Sequence, residues 1–498
     1  MNVNPITRLD YPDPDVIRVE DTYYMVSTTM HFMPGCEILQ SFDLVHWEHA
    51  TYVYETLDHT DAQQLKSGQN IYGQGMWAAS LRYHEGRFCI CFVANDTRKT
   101  YLYTSEKIDG PWKKQLIEGF YHDGSLLFDE DGRNYIVYGN DEIWITELNE
   151  DLTAPKKDGL HRLLVSDHKN PELGYEGSHI QKINGYYYIF LIHSLRDRWM
   201  RTEACFYSDS LEGEFTGGDV LCDDRGYCGQ GVAQGGIVDT PDGKWYAMLF
   251  QDSGAVGRIP ILLPVTWKDH FPVFGQNGHV PEEIEVHSTR PGYIYQPLVG
   301  SDDFCNGLLP RWQFNHDPDP RYYHLDALQG TYTITTREVC TELTQAVNTL
   351  TQRMSYPSCA AEVTVDASAL KEGDVAGLCA LQSCYAAVGI TKHHGKYEVL
   401  MLDKKEDGIL DMTEGTVVES HQMDFRLEAD FCNMKDEARC YYRVNKGDWL
   451  PIGTVHKLYF KLDHFTGCRF GLFCYAAEET GGSACFRDFK YYDVDEIS

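Results

Sequence analysis

A hairpin pattern that recurs five times in the first ~290 residues constrains this fold more than any other feature of the sequence. Each copy joins a tight turn to a run of alternating aromatic residues, and successive copies lie roughly 50 to 65 residues apart. Repeats of this length, with room for about four short strands each, are typical of propeller blades. Five copies therefore predict a five-bladed β-propeller, with a large irregular β-sandwich as the alternative. The copies lie at residues 21–24, 85–88, 131–135, 184–187 and 242–246.

The repeat stops at a connector, residues 285–302, which contains the turn sequence Arg290-Pro291-Gly292. Beyond it, short alternating runs of apolar and polar residues continue at the spacing of a β-sandwich. The sequence therefore predicts an all-β chain with two domains. These are a propeller over residues 1–295 and a jelly-roll-like β-sandwich over residues 296–498.

Charge and composition disfavour several classes of function. The chain has 43 Lys and Arg against 75 Asp and Glu, a formal net charge of −32. Because phosphate groups are bound by clustered basic residues, we expect no nucleic-acid partner and no anionic membrane partner. No apolar run approaches the ~18 residues of a membrane span, and the N-terminus lacks a signal-peptide pattern. The 16 Cys include no CxxC pair, which predicts reduced, buried thiols in a cytoplasmic protein.

Three acidic residues stand at matching positions of three repeats. Asp13, Asp123 and Glu176 each lie beside Gly or Pro, about 10 to 12 residues before the first aromatic residue in the hairpin of their own repeat. The first strands of propeller blades surround one axis, so residues at matching positions can converge in one pocket. Glycoside hydrolysis needs two carboxyl groups beside the scissile bond, and a third can orient them. Each acid alone is more typical of a turn that bonds its own backbone, but the offset shared by all three leaves both interpretations open.

Several separated motifs carry a closer match. They are YPDP at 11–14, HDGSL at 122–126, EG at 176–177, GGIVDTPDG at 235–243 and GAVGR at 254–258. Through them, the first ~295 residues resemble glycoside hydrolase family 43, the five-bladed β-xylosidases and α-L-arabinofuranosidases. The remaining ~200 residues resemble the β-sandwich often appended in that family, through WQFNH at 312–316 and FTG at 465–467.

The resemblance implies a role for each acid. Asp13 is then the general base that activates a water, and Glu176 is the general acid that protonates the departing oxygen. Asp123 raises the pKa of Glu176 and holds it in place. Such enzymes invert the anomeric centre, and their two working carboxyl groups lie about 6.5–9.5 Å apart. Asp10 and Asp15 are rivals for the role of base, but the family motif favours Asp13.

The resemblance also implies the residues that bind the sugar. Arg258 binds sugar hydroxyls and the base, with a surface salt bridge as the alternative. Trp77 and Phe32 form aromatic walls of the pocket, although each alone is more typical of a core residue. Phe465 reaches from the sandwich to the pocket rim.

One position departs from the family pattern. Many members have a His before the paired glycines, here at 235–236, and that His helps to hold a central cation. This chain has Gln234 there, and an amide oxygen suits Ca²⁺ at least as well as imidazole. We therefore expect a structural Ca²⁺ on the propeller axis, with a bond to the neighbouring blade as the alternative role of Gln234. No organic cofactor and no redox metal are expected.

Together, the residues and the resemblance predict an exo-acting, inverting glycosidase. It would release xylose from the non-reducing end of β-1,4-xylo-oligosaccharides. An α-L-arabinofuranosidase or a bifunctional enzyme acting on arabinoxylan-derived oligosaccharides is the close alternative. An endo-acting arabinanase is disfavoured, because an appended sandwich suits a closed pocket. A non-catalytic sugar-binding propeller is disfavoured as well, because all three acidic positions are filled. The sequence leaves homo-oligomerisation open.

Overall fold

Five four-stranded antiparallel sheets form the first part of the chain, each made of four consecutive strands. In the computed structural model, which describes residues 2–493, the first strands of the five sheets contact one another in a closed ring around one axis. The sheets are therefore the blades of a five-bladed β-propeller, as predicted. Blade 1 contains Asp15–Val19, Thr22–Ser27, Gly35–Ser41 and Glu48–Tyr54; blade 2, Met76–His84, Arg87–Ala94, Lys99–Ser105 and Lys113–Ile117; blade 3, Ser125–Phe128, Asn134–Asn140, Glu142–Leu148 and His161–Ser166; blade 4, Glu176–Ile183, Tyr186–Ser194, Arg201–Ser208 and Thr216–Leu221; blade 5, Val232–Asp239, Trp245–Asp252, Arg258–Lys268 and Phe271–Phe274.

The five hairpins identified in the sequence join the first and second strands of the blades. In blade 4, for example, Asn184 and Gly185 have φ of 51° and 84°. Two successive residues with positive φ form the tight turn that matches the twist of a two-residue hairpin, which favours Asn followed by Gly. The aromatic residues after each turn belong to the second strand, where they pack between neighbouring blades.

The second part of the chain is a β-sandwich, also as predicted. Its two sheets enclose an apolar core that includes Trp312, Phe425 and Phe470. One sheet contains, in spatial order, Leu410–Met412, Lys396–Lys404, Ala386–His393, Val375–Leu381, Arg469–Tyr475, Leu350–Arg353, Gln313–Asn315 and Phe32–Met33, with Thr416–Val418 also paired to Lys396–Lys404. The other contains Tyr323–Asp326, Thr331–Thr335, Ser483–Asp493, Ser358–Asp366, Gln422–Asp430, Glu437–Val444 and Leu450–Lys457.

The two domains share a sheet. The short strand Phe32–Met33 lies between two strands of blade 1 in the sequence, yet it pairs with Gln313–Asn315 at the edge of the sandwich. A buried ion pair adds to this contact, with Arg353 Nη1 2.9 Å from Glu37 Oε2. The domain boundary at residue 295 stays a prediction, and the pairing of Phe32–Met33 shows that the sheets do not separate there.

Helical structure in residues 2–493 is limited to 3₁₀ turns at Lys66–Gly68, Gly254–Val256, Leu343–Gln345 and Cys432–Met434. None of these turns is long and apolar enough to cross a membrane.

All sixteen cysteines are free, and most of them are buried. A pair of two-residue strands, Asn2–Val3 and Glu283–Ile284, ties the start of the chain to the segment that follows blade 5.

Candidate active site

The three predicted acids lie at one end of the propeller axis. Asp13 and Asp123 each stand two residues before the first strand of their blade, and Glu176 is the first residue of such a strand. Asp13 and Asp123 have φ of 52° and 47°, a left-handed conformation that non-glycine residues seldom adopt. Such strained positions cluster at functional sites, where the surrounding structure holds them in place.

Asp13 is held by two side chains. Its Oδ2 accepts a hydrogen bond from Thr28 Oγ1 at 2.6 Å, and its Oδ1 accepts one from Arg258 Nη1 at 2.9 Å. The residue is only 7% exposed. Because both oxygens are bonded, the carboxylate is fixed in one orientation at the edge of the pocket.

Glu176 is the more accessible carboxyl group, with a side chain that is 19% exposed. Its Oε2 accepts a hydrogen bond from Asn140 Nδ2 at 2.7 Å. Asn140 ends the second strand of blade 3, so this bond links two neighbouring blades. Sequence reasoning did not single out Asn140, since nothing in its motif marks it. A glutamate that is held at one oxygen and open to solvent can exchange a proton with a bound substrate.

Asp123 lies behind Glu176. Its Oδ2 accepts a hydrogen bond from the backbone N–H of Gly177 at 3.0 Å. Burial raises the pKa of Asp123 to about 6; the charges of Glu176 and Asp13 act in the same direction, and His122 opposes them. The carboxyl groups therefore interact electrostatically, as expected for neighbouring like charges.

His122 is a member of this site that the sequence analysis did not assign. Its Nε2 lies 3.5 Å from Asp123 Oδ2 and 3.7 Å from Glu176 Oε2. The charges of Asp123 and Glu176 raise the pKa of His122 to about 9. At neutral pH the imidazole is therefore a cation between two carboxyl groups. Its position next to Asp123 in the HDGSL motif was the available signal.

The ligand atoms of His122, Asp123 and Glu176 all lie within 4.8 Å of one another, a spacing at which three side chains can hold a metal. A protonated imidazole cannot ligate a metal, because coordination requires its neutral form. A metal bound by all three groups would therefore have to displace the proton of His122, whose pKa is raised to about 9.

Three of the predicted sugar-binding residues meet beside the acids. The guanidinium of Arg258 lies 4.4 Å from the centroid of the Phe465 ring, and the Trp77 ring lies 5.3 Å from that ring and 6.1 Å from His122. Arg258 Nε and Nη2 and Trp77 Nε1 are buried and have no hydrogen-bond partner among residues 2–493. Buried donors of this kind normally find a partner, and none of these three has one among the described residues, so their contact with a sugar stays a prediction.

Phe32 does not belong to this pocket, and its prediction as a wall was wrong. The residue has no exposed surface and packs with Cys379, Leu381 and Tyr385 inside the sandwich. The guanidinium of Arg469 covers its ring at 3.5 Å. Because the strand Phe32–Met33 joins the sandwich sheet, the aromatic face is directed into the other domain and cannot stack on a sugar.

Asp15, one rival for the role of base, is structural. It is fully buried, and its Oδ2 accepts hydrogen bonds from Leu81 N and Arg82 Nη1, both at 2.7 Å. Its Oδ1 lies 3.1 Å from His179 Nδ1. Asp15 therefore links blades 1, 2 and 4 around the axis, and it has no exposed surface through which a water could reach it.

Asp10, the other rival, connects the two domains. Its Oδ1 accepts a hydrogen bond from Arg258 N at 2.7 Å, and its Oδ2 accepts one from Gly467 N at 2.8 Å. Both oxygens of this buried carboxyl group are thus bonded to backbone. Asp10 sets the distance between the sandwich loop that carries Phe465 and the strand that begins with Arg258.

Gln234 makes contacts with the neighbouring blade. Its N–H donates to Glu203 Oε2 at 2.7 Å, and a methyl group on Gly177 would lie 2.7 Å from Gln234 Cδ. At the propeller axis, the guanidinium of Arg82 already places a positive charge beside Asp15. The same group donates hydrogen bonds to residues of blades 3 and 4. Next to Gln234, the Oε1 atom of Glu203 is buried and has no hydrogen-bond partner among the described residues. A structural Ca²⁺ stays a prediction, and the catalytic roles of the acids do not depend on it.

Comparisons with known proteins cover both domains. The model of glycosyl hydrolases family 43 matches residues 3–272, and that of the β-xylosidase C-terminal concanavalin A-like domain matches residues 301–492. A β-xylosidase from Formosa agariphila is 26% identical over 555 residues, covering 99% of this chain and 89% of that protein. A non-reducing end α-L-arabinofuranosidase from Bacteroides ovatus is 24% identical over 437 residues, covering 82% of this chain and 79% of that protein.

A solved structure from Bacteroides eggerthii, described as a bifunctional GH43-CE protein, superposes with a TM-score of 0.93 at 42% sequence identity. It covers all of this chain, which in turn spans 64% of that longer chain. The family match extends over the whole ring of blades that carries Asp13, Asp123 and Glu176. On this agreement of sequence and fold, the chain belongs to family 43 of the glycosyl hydrolases.

Proposed function

We propose that this glycoside hydrolase is an exo-acting β-xylosidase that releases xylose from the non-reducing end of β-1,4-xylo-oligosaccharides. The observation that best supports exo action is the position of Phe465. Its ring comes from a sandwich loop, residues 459–467, and lies against Arg258 and Trp77 of the propeller. A cleft that is closed on one side by a second domain admits the end of a sugar chain and not its middle.

The proposed catalytic step gives each of the two working carboxyl groups one role. Asp13 takes a proton from a water, which attacks the anomeric carbon on one face of the sugar. Glu176 gives its proton to the glycosidic oxygen on the opposite side, and the bond to the departing sugar breaks. This single displacement inverts the anomeric configuration, as is characteristic of the family.

The neighbouring side chains support both proton transfers, the one to Asp13 and the one from Glu176. Arg258 and Thr28 hold the carboxylate of Asp13, so its orientation toward the water does not change. The free N–H groups of Arg258 bind sugar hydroxyls. The His122 cation lies beside Glu176 and balances the charge that its proton loss creates.

An α-L-arabinofuranosidase, or an enzyme with both activities, is the second candidate. It is favoured by the Bacteroides ovatus relative, which is named for that activity. The β-xylosidase is preferred because the C-terminal domain matches a β-xylosidase model and the Formosa agariphila relative carries that name. The buried, free thiols favour a cytoplasmic location, where short imported oligosaccharides are the available substrates.

Two aryl glycosides, the β-D-xylopyranoside and the α-L-arabinofuranoside, test the proposal with wild type and Glu176→Gln. We expect the β-xyloside to be the better substrate and to yield α-xylose first by NMR. General acids contribute about 10²–10⁴-fold, so Glu176→Gln should lose about 10³-fold in kcat/KM on xylobiose. Glu172→Gln, an exposed position four residues earlier, is the matched control and should retain activity. Initial release of β-xylose, or turnover of neither glycoside, would contradict the proposal.

A further inference from the structure

Trp199 is a large aromatic side chain that remains 46% exposed at the catalytic end of blade 4. It lies in the loop of residues 195–200, which joins the second and third strands of that blade. In the sheet register, Glu176 pairs with Ile192, and the loop begins just after Ser194. Trp199 is therefore at the same end of the same blade as the proposed catalytic acid.

The position of Trp199 is set by a buried arginine. The guanidinium of Arg201 lies 5.5 Å from the centroid of the Trp199 ring and 5.2 Å from that of Phe250. Arg201 Nε is 2.7 Å from Asp252 Oδ2, and the side chain of Arg201 is mostly buried. An exposed indole that rests on an ion-paired arginine has a defined place, and one surface of the ring stays open to solvent.

The same packing connects Trp199 with the pocket. Phe250 also lies 5.4 Å from the guanidinium of Arg258, which in turn binds Asp13. Phe250 thus lies between Arg201 at the rim and Arg258 in the site. Three side-chain contacts in sequence link the exposed indole with the arginine that holds the base.

The stereochemistry of inversion decides which part of the substrate lies near Trp199. The base and its water act on one face of the sugar, and the acid stands on the side of the leaving group. The departing sugar must therefore lie next to Glu176, the residue that begins the first strand of blade 4. We propose that Trp199 is the stacking platform for this leaving-group sugar, the first ring beyond the cleaved bond. The assignment rests on the proposed function, since it takes Glu176 as the acid.

A pyranose ring and the indole of Trp199 have complementary surfaces. The C–H groups on one face of a pyranose ring form an apolar surface, and an indole offers a flat π-face of similar size. The expected ligand is therefore a β-linked pyranoside oligosaccharide rather than a small or charged leaving group.

Two substrates distinguish an effect of Trp199 on the leaving group from an effect on the xylose in the pocket. Xylobiose leaves a sugar ring, whereas β-D-xylopyranosyl fluoride leaves only fluoride, and both place the same xylose in the pocket. For Trp199→Ala we expect kcat/KM to fall about tenfold on xylobiose, as for the loss of one stacking contact, and to stay unchanged on the fluoride. Trp199→Phe should recover most of the loss. Trp449→Ala is the matched control, because Trp449 also packs on an arginine, Arg443 at 4.2 Å, but lies on the sandwich.

An unchanged kcat/KM for Trp199→Ala on xylobiose, or equal losses on both substrates, would overturn the assignment. A wild type that cleaves neither substrate would contradict the proposed function instead. In that case isothermal titration calorimetry with xylobiose still decides the point. Binding by wild type that is lost in Trp199→Ala supports the platform, and equal binding by both proteins overturns it.

Discussion

At the scale of single residues, the site is a set of carboxyl groups arranged around one imidazole. The repeat offset predicted Asp13, Asp123 and Glu176, because matching positions of successive blades meet at the axis. The same reasoning could not assign His122, since its role depends on distances to two acids on different blades. Phe32 was placed wrongly for a related reason, because a local motif does not show which domain will bury a ring.

The charge of His122 leads to a prediction about how kcat/KM depends on pH. A nearby cation lowers the pKa of a carboxyl group, and His122 acts in this way on Asp123, whose pKa is about 6. Replacing His122 by Asn removes the cation, so the pKa of Asp123 rises further. We expect the acidic limb of kcat/KM to move to higher pH by about one unit. The measurement is kcat/KM on the aryl xyloside between pH 4.5 and 8. His168→Asn, at an exposed position, is the control. If the acidic limb of kcat/KM does not move in His122→Asn, the ionisation of Asp123 does not determine it.

At the scale of elements, the pocket depends on two segments that are distant in sequence. The segment before blade 1 carries Asp10 and Asp13, and the sandwich loop 459–467 carries Phe465; Asp10 joins them through Gly467. The hairpins were predictable because turn and strand signals are local. The strand Phe32–Met33 was not, because two residues show no period and their partner lies about 280 residues later.

The contact at Gly467 provides a test of this junction. A methyl group there would lie 2.1 Å from Val256 O and 2.7 Å from Asp10 Cβ, so the loop must shift to accept one. We expect Gly467→Ala to move Phe465 away from Arg258 and to lower kcat/KM by about tenfold or more, since small misplacements are costly in catalysis. Kinetics on xylobiose, together with circular dichroism to show that the fold is retained, would measure this. Gly218→Ala serves as the control, because a methyl group at Gly218 meets no atom within 4 Å. Equal activity of the two variants would refute the dependence on the loop.

At the scale of the whole molecule, three histidines lie where the propeller meets the sandwich. The ring of His31 lies 4.7 Å from that of His316 and 5.1 Å from that of His464, and all three are buried. Burial lowers the pKa of His31 and of His316 well below the usual value and lowers that of His464 to about 3. Arg469 and the histidines themselves act in the same direction on His31. The domains are therefore joined through neutral imidazoles.

The sign of the resulting pH dependence follows from proton uptake. Below pH ~6.5 the unfolded chain protonates these histidines, whereas the folded protein keeps them neutral until far lower pH. The unfolded state then binds more protons, so the free energy of unfolding falls as pH decreases from ~6.5 toward ~3, by up to about 1.4 kcal/mol per pH unit for each histidine. Removing one of them by His464→Gln should make this decline less steep. Urea unfolding between pH 7 and 4.5 measures the slope, with the exposed His393→Gln as the control. A slope equal to that of wild type in His464→Gln would mean that this junction does not limit stability in acid.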